Sequence, residues 1–153
     1  MPDSLAGLPD NASIVVVGNP NTGKSTLFNN LTGLRQKTAN YPGVTVERRT
    51  GVFRLPKGEV TLIDLPGAYS LAAHSPDELI ATDVLLGKID DLPLPHAVLI
   101  VIDAANLRRN LFMTTQILEI GLPVVIALNM IDLAEKRGIH IDAKELAARL
   151  KAT

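Results

Sequence analysis

The sequence contains no cysteine. A disulfide framework and a thiolate metal site are both excluded, and a reducing compartment is compatible with the chain. Excess charge is also lacking: 15 Lys and Arg stand against 16 Asp and Glu, a formal net charge of −1. No basic field exists to hold a nucleic-acid backbone or an anionic lipid surface non-specifically, so nucleic acid is not an expected partner. Long apolar runs are missing too. The longest, near 97 to 105 and 122 to 128, are strand-sized and far short of the ~20 apolar residues that span a bilayer as a helix. The N-terminus carries acidic Asp3 and no basic region ahead of an apolar core, so it does not read as a signal peptide. The three histidines, His74, His96 and His140, are scattered.

What is present fits one globular domain with a real core: 153 residues, of which 46% are hydrophobic. Residues 1–12, with Pro2, Gly7, Pro9 and Asp10, read as a flexible leader, and the ordered domain is expected over 13–153. Ile14 to Val17 is a β-branched run suited to a strand buried on both faces. From Lys24 to Thr32, Leu27, Phe28 and Leu31 recur at helical spacing. Residues 34 to 46, with Asn40, Pro42 and Gly43, show no periodicity and read as a long mobile loop. Val46 to Leu55 and Glu59 to Ile63 read as a hairpin around Pro56-Lys57-Gly58. Ser75-Pro76-Asp77-Glu78 combines an N-cap, a first-turn proline and a capping-box glutamate, predicting a helix through about Leu86. Ala97 to Ile102 and Pro123 to Leu128 are expected strands. Residues 108 to 120, closed by Gly121, are an expected helix, and Asp142 to Leu150 another, capped by Asp142 and Glu145. The alternation predicts an α/β fold with a mostly parallel, doubly wound sheet and helices on both faces.

Three motifs punctuate that pattern. Gly18-Asn19-Pro20-Asn21-Thr22-Gly23-Lys24-Ser25 fits G-x-x-x-x-G-K-[ST] between a strand and a helix. Its glycines let backbone N–H groups turn onto phosphate oxygens at a helix N-terminus whose dipole favours anions. The phosphate contacts are therefore expected from Asn19, Pro20, Asn21, Thr22, Gly23, Lys24, Ser25 and Thr26, with Lys24 reaching the β- and γ-phosphates and Ser25 ligating Mg²⁺. Chance produces this pattern in about one in a few hundred chains of this length. The second motif is Asn129-Met130-Ile131-Asp132, directly after an expected buried strand. A carboxylate at Asp132 accepts from guanine N1–H and the 2-amino group together, whereas adenine would leave it unpaired. Asn129, Met130 and Asp132 are the candidate guanine contacts. The third motif, Asp64-Leu65-Pro66-Gly67, follows a strand and places Asp64 to hold Mg²⁺ through water, with the Gly67 amide able to donate to a γ-phosphate oxygen. Thr45, in Pro42-Gly43-Val44-Thr45-Val46, is the natural second hydroxyl ligand to Mg²⁺, ordered in the triphosphate state together with Gly43 and Val44.

With these residues in place, GNPNTGKST, NYPGVTVE, DLPGAYSL and NMID, together with the intervening VIDAANLRRNL, resemble the N-terminal G domain of the ferrous iron transport protein B (FeoB) family. The similarity runs from about Ser13 to the end. The phosphate, Asp64 and guanine motifs are common to many GTPases, while PGVTVE, the AYSL continuation and DAANLRRNL single out this family. The resemblance implies Mg²⁺-dependent hydrolysis of GTP to GDP and phosphate in a domain on the cytosolic face of the inner membrane. It also implies partners on the same polypeptide: a helical regulatory domain and a membrane-spanning iron pathway. Absence of cysteine and dispersal of the histidines leave no convincing Fe²⁺ site, so this segment is expected to handle nucleotide rather than iron.

Two departures stand out. Ala68 occupies the place where a Ras-like enzyme puts the glutamine that orients the attacking water, which predicts a slow intrinsic rate. In this family Asn at the fourth position of the phosphate loop, here Asn21, helps hold K⁺, so K⁺ stimulation is expected and Lys24, Thr45, Gly67 and Asn21 form the expected catalytic set. The second departure is Met130 in place of the usual lysine of the guanine motif, which changes packing against the base. The fold also expects a further strand, a loop backing the guanine and a closing helix after Leu150, so the domain is read as ending before its fifth guanine-binding motif, with an exposed sheet edge that could promote homo-association. Two alternatives compete: a soluble ribosome- or RNA-associated assembly GTPase, disfavoured by the missing basic stripe, and a nucleotide-sensing module with negligible turnover, suggested by Ala68.

Overall fold

The computed structural model describes residues 7–9, 11–33, 36–56 and 58–152; most of the expected leader, residues 1–6 and 10, lies outside them, as does Lys57 of the expected hairpin turn. The elements run β1 (Ser13–Gly18), α1 (Lys24–Thr32), β2 (Gln36–Asn40), β3 (Glu47–Leu55), β4 (Gly58–Asp64), α2 (Pro76–Leu85), β5 (Ala97–Asp103), a 3₁₀ turn (Ala104–Asn106), α3 (Leu107–Glu119), β6 (Val124–Asn129), α4 (Ile131–Lys136) and α5 (Ala143–Leu150). The strands form a single sheet in the order β2-β3-β4-β1-β5-β6.

The centre of that sheet follows from the β-branched runs. In β1, Val15 and Val17 pack with Ile80 and Val84 of α2 and Met113 and Ile117 of α3, while Ile14 and Val16 pack with Phe28 of α1 on the other face. The same alternation divides β5: Val98, Ile100 and Ile102 join the first cluster, Ala97 and Val101 the second. A strand apolar at every position needs both faces covered, and helices on both sides supply that cover. Gly18 has a separate reason to be glycine, because a Cβ there would lie 2.6 Å from the Val101 carbonyl oxygen of the neighbouring strand. β1 therefore ends tightly against β5, and the chain must turn out of the sheet at this point.

Pairings β1–β4, β1–β5 and β5–β6 are parallel. The two outer pairings, β2–β3 and β3–β4, are antiparallel, so the expected mostly parallel sheet is mixed at one side. The short turn joining β3 to β4 permits only an antiparallel pair. A second difference concerns residues 34 to 46, expected as loop throughout. Gln36–Asn40 forms an edge strand against β3. Its sequence QKTAN has no apolar periodicity because the strand is mostly exposed, and ladder hydrogen bonds rather than burial hold it there. The remaining turn is closed by Tyr41 N–H donating to the Val46 carbonyl at 2.9 Å. The Tyr41 ring is fully buried, and burial pushes its phenol well above the ordinary tyrosine range.

Helix ends match the caps in the sequence to within a residue. The Ser75 hydroxyl accepts from Glu78 N–H at 3.2 Å with Pro76 in the first turn, and Leu86 falls just after α2 rather than within it. An Asp142 carboxylate oxygen accepts from Lys144 and Glu145 N–H at 2.9 and 3.0 Å. α4 is an addition: the segment after Asn129, read from the sequence as a guanine-binding motif with no helix assigned to it, enters a six-residue helix through Met130 at φ 57°. Ala104 and Ala105 pack with Ala134 of α4, with Leu133 and Ile141 against them. Small side chains at 104 and 105 let α4 approach the end of β5, and this packing fixes where the segment 129–132 sits.

Candidate functional site

The carboxyl ends of the parallel strands lie along one edge, with Val16 opposite Asp64, Gly18 opposite Val101, and Asp103 opposite Asn129. Open α/β sheets bind ligands at this edge. Here it carries the loop 18–23, whose shape depends on two left-handed residues, Asn21 at φ 63° and Gly23 at φ 83°. Gly23 is the N-cap of α1 and no side chain caps that helix. The first-turn N–H groups and the positive end of the helix dipole therefore face a cavity of about 480 Å³ lined by Asn19, Pro20, Asn21, Gly23, Lys24, Ser25, Thr26 and Gly67, and also by Asp77. That is an anion cradle built from backbone.

Around it, Thr22 folds inward and its hydroxyl donates to the Asn19 carbonyl at 3.0 Å. Among the described residues, neither polar atom of the buried Asn19 amide has a hydrogen-bond partner. Lys24, at the cavity wall, forms a buried ion pair with Asp64. Asp64 also has the Arg49 guanidinium 3.8 Å from its other carboxylate oxygen. Gly67 is pressed against Pro20, since a Cβ there would meet the proline at 3.2 Å, so the Asp64-Leu65-Pro66-Gly67 motif is packed directly on the phosphate loop. Leu65 N–H donates to the Val16 carbonyl at 3.0 Å and Ala68 N–H to the Gly18 carbonyl at 3.2 Å, completing the seam. Leu65 and Ala68 are buried and Pro66 is half-buried.

The guanine motif abuts the same loop. Asn129 Nδ2 donates to the Thr22 carbonyl at 2.9 Å, across 107 residues of sequence, and the Met130 side chain approaches the Gly23 position. Asp132 is exposed in the first turn of α4. Gly43, Val44 and Thr45, by contrast, are exposed and do not line the phosphate cavity. The structure thus brings together the phosphate loop, the Asp64 motif and Asn129, and leaves the Thr45 turn outside. The donor set Ser25 hydroxyl and Asp64 carboxylate suits a hard divalent cation that keeps water and phosphate ligands, as Mg²⁺ does. Among the described residues no three His, Cys, Asp or Glu gather as a metal site.

Two contributors were not singled out from sequence. Asp77 lines the phosphate cavity, although the capping pattern around it already accounted for an acidic residue at a helix start. Arg49 reaches Asp64 from the adjacent strand, a contact that only sheet register reveals. The segment after Gly67 is also held. Glu78 accepts from Tyr69 N–H at 3.3 Å and His74 N–H at 3.0 Å, and these backbone donors, His74 first, hold its carboxyl below the ordinary glutamate value. Arg109 of α3 stacks 4.3 Å over the Tyr69 ring, and Leu71 N–H donates to Gln116 at 2.9 Å. Asp103, Asn106 and Asn110 have a local use: Asp103 accepts from Ala105 N–H at 2.8 Å and from the Asn106 amide at 2.6 Å, turning the chain from β5 into α3. A larger, mostly apolar cleft of about 1020 Å³ lies at Ala105, Leu107, Leu111 and Ile139. It contains none of the phosphate-loop residues.

A mixed sheet with helices on both faces, carrying this loop at the carboxyl end of β1 and the guanine motif after β6, defines a P-loop GTPase G domain. The profile described as "Ferrous iron transport protein B" matches residues 12–153, and the chain is 50% identical over 142 residues to the Fe(2+) transporter FeoB of Shigella flexneri. The chain belongs to the ferrous iron transport protein B family. That alignment covers 90% of this chain and 18% of the relative, so the chain spans under a fifth of the length of the curated relatives it matches. Among solved structures, an S. thermophilus NFeoB mutant bound to mGDP superposes with a TM-score of 0.85 at 43% identity, covering 94% of this chain and 53% of that one. The cytosolic domain of L. pneumophila FeoB superposes with a TM-score of 0.82 at 47% identity, covering 90% and 56%. No helix among the described residues is long and apolar enough to cross a membrane.

Proposed function

We propose that this chain binds GTP in the 18–26 cradle and hydrolyses it to GDP and phosphate, and that in the full-length protein this cycle regulates or drives ferrous iron transport. The observation that carries the reading is the Asn129–Thr22 hydrogen bond, which joins the proposed base-reading motif directly to the phosphate loop.

In this reading Lys24 leaves Asp64 for the β- and γ-phosphates, and the N–H groups from Asn21 to Thr26 receive phosphate oxygens. Ser25 and, through water, Asp64 would hold Mg²⁺, which would supply positive charge to offset the negative charge of the phosphates. Thr45 completes that ligand set only if the turn 41–46 swings from its present exposed position, carrying Gly43 and Val44 with it, and this movement is the switch. The Gly67 amide donates to a γ-phosphate oxygen. A water oxygen then attacks the γ-phosphorus as the bond to the β-phosphate oxygen breaks. Ala68 is buried and has no group to orient that water, so turnover is slow. Asn129, Met130 and Asp132 hold guanine. The domain works on the cytosolic face of the membrane beside a helical regulatory domain and a spanning iron pathway of the same polypeptide, and handles no iron itself. The partly exposed apolar strand β6 lies at the sheet edge and offers a surface for self-association.

Asn21 lines the cavity in a left-handed conformation with its side chain exposed, a placement consistent with contributing to a K⁺ site that supplies positive charge beside the phosphate. Phosphate release from GTP with Mg²⁺ tests this. In K⁺ it is expected to exceed release in Na⁺ by about tenfold or more, as a stabilised oxyanion implies. Asn21→Ala is expected to remove that difference while keeping GDP binding. Equal K⁺ stimulation in both proteins would rule out the Asn21 role, and no release above background in either salt would leave a nucleotide-sensing module instead.

A further inference from the structure

Asp64 is 7% exposed and sits between two cations, with Lys24 on Oδ1 and the Arg49 guanidinium 3.8 Å from Oδ2. The two cations differ in what else holds them. Lys24 belongs to the phosphate loop and must swing away to meet a phosphate. Arg49 lies directly opposite Asp64 in the β3–β4 register and is tethered elsewhere: Nη2 donates to Asn29 Oδ1 at 2.7 Å and to Gln36 Oε1 at 2.8 Å, and the guanidinium carbon lies 5.3 Å from the Phe28 ring centre. A nucleotide entering the cradle has no cause to move it.

We propose that Arg49 is the standing counter-charge to Asp64, the group that allows Lys24 to be released to an incoming nucleotide phosphate before any divalent cation arrives. The inference rests on the nucleotide-binding reading above. Opening the Lys24–Asp64 pair without Arg49 would strand a buried carboxylate, which is costly, and would leave that negative charge next to the phosphates. With Arg49 in place, the three groups carry a net charge of +1 throughout, and the cradle stays attractive to an anion. The same shielding weakens the pull of Asp64 on a divalent cation. Arg49 therefore trades Mg²⁺ dependence for metal-free nucleotide binding, acting through Asp64 as a positioning and charge-balancing residue.

The test compares binding of a fluorescent GDP analogue in EDTA and in Mg²⁺. Arg49→Met keeps an apolar stem on Phe28 and removes the charge. It is expected to weaken binding in EDTA by about tenfold, with a smaller loss in Mg²⁺, so that the ratio of the two affinities grows; a charge at this range in partly buried surroundings is worth that order of effect. Arg49→Lys, retaining the charge, is expected to restore EDTA binding to within about threefold. Unchanged EDTA binding in Arg49→Met, or an equal loss in both conditions accompanied by a lower melting temperature, would overturn the proposal and show a merely structural arginine. If Arg49→Met does not fold, Arg49→Lys and Asn29→Ala decide. The proposal requires near-normal EDTA binding in the first and, with the guanidinium released from its tether, weakened EDTA binding relative to Mg²⁺ in the second; failure of either overturns it. Failure of the underlying reading looks different, because the unmodified chain would then bind no guanine nucleotide in either condition.

Discussion

Exchanging Gly23 for alanine is expected to weaken nucleotide binding severely while leaving a folded domain. Gly23 stands at φ 83°, where a side chain costs about 1–2 kcal/mol. A Cβ there would also lie 2.2 Å from Asn129 Nδ2, inside any tolerable contact. Relief requires Asn129 to abandon its hydrogen bond to the Thr22 carbonyl or the loop to lift from the sheet edge. Either movement spoils the cradle at the N-terminus of α1 and separates it from the guanine motif. The hydrophobic clusters on the two sheet faces do not include this residue, so chemical denaturation should remain cooperative with a loss of about 1–3 kcal/mol. GDP affinity should fall on the order of 100-fold or more, equivalent to about 2.7 kcal/mol of lost contacts. Wild-type affinity in the variant would mean that phosphate is bound somewhere other than the 18–26 loop.

Asp132→Asn is expected to change which base is bound rather than whether a nucleotide is bound. In the proposed reading the carboxylate accepts two hydrogen bonds from guanine, at N1–H and the 2-amino group. An asparagine turns one of those acceptors into a donor facing the 2-amino group. Leaving a charged or polar partner mispaired costs about 1–3 kcal/mol, so GDP affinity should fall by about 10- to 100-fold. Xanthine, which offers a carbonyl where guanine has the amino group, should be bound better than guanine by the same variant. Asp132 is exposed at the first turn of α4, so the melting temperature should change little. A variant that loses both bases equally would show that Asp132 supports the local fold and does not read the base.

Those expectations rest on residues that were legible in the sequence because their chemistry is local. Gly18 and Gly23 ahead of Lys24, with a β-branched strand before them, announce a phosphate loop whatever the rest of the chain does, and buried strands such as β5 announce themselves by an unbroken apolar run, here Ala97 to Ile102. β2 was illegible for the opposite reason. QKTAN is polar on both faces, and what makes it a strand is the free edge of β3 beside it. α4 was hidden because it is only six residues long and starts inside a motif already accounted for as base-binding, and because Met130 enters it through a left-handed backbone conformation that sequence rarely signals in a methionine. The pairing of Lys24 with Asp64, 40 residues away, and the approach of Arg49 to the same carboxylate depend on sheet register. The Thr45 turn is a different case: its motif was visible, yet the structure places it outside the cavity, in a turn closed by backbone hydrogen bonds of Tyr41 with Val44 and Val46.

The FeoB-type signature VIDAANLRRNL is explained in the same terms. Asp103 and Asn106 turn the chain into α3, Ala104 and Ala105 admit α4, and α4 carries Asp132. These residues of the segment therefore act by packing, setting the position of α4 and of the proposed base-reading Asp132.

The most direct test of the central claim, that one site built from residues 18–26, 64–67 and 129–132 selects guanine nucleotides, is displacement of a bound fluorescent GDP analogue by unlabelled GDP, GTP, ADP and ATP in Mg²⁺. GDP and GTP are expected to displace it at concentrations at least about 100-fold lower than ADP and ATP, the discrimination a base-reading carboxylate provides. Displacement by ATP at the same concentration as GTP would contradict the account.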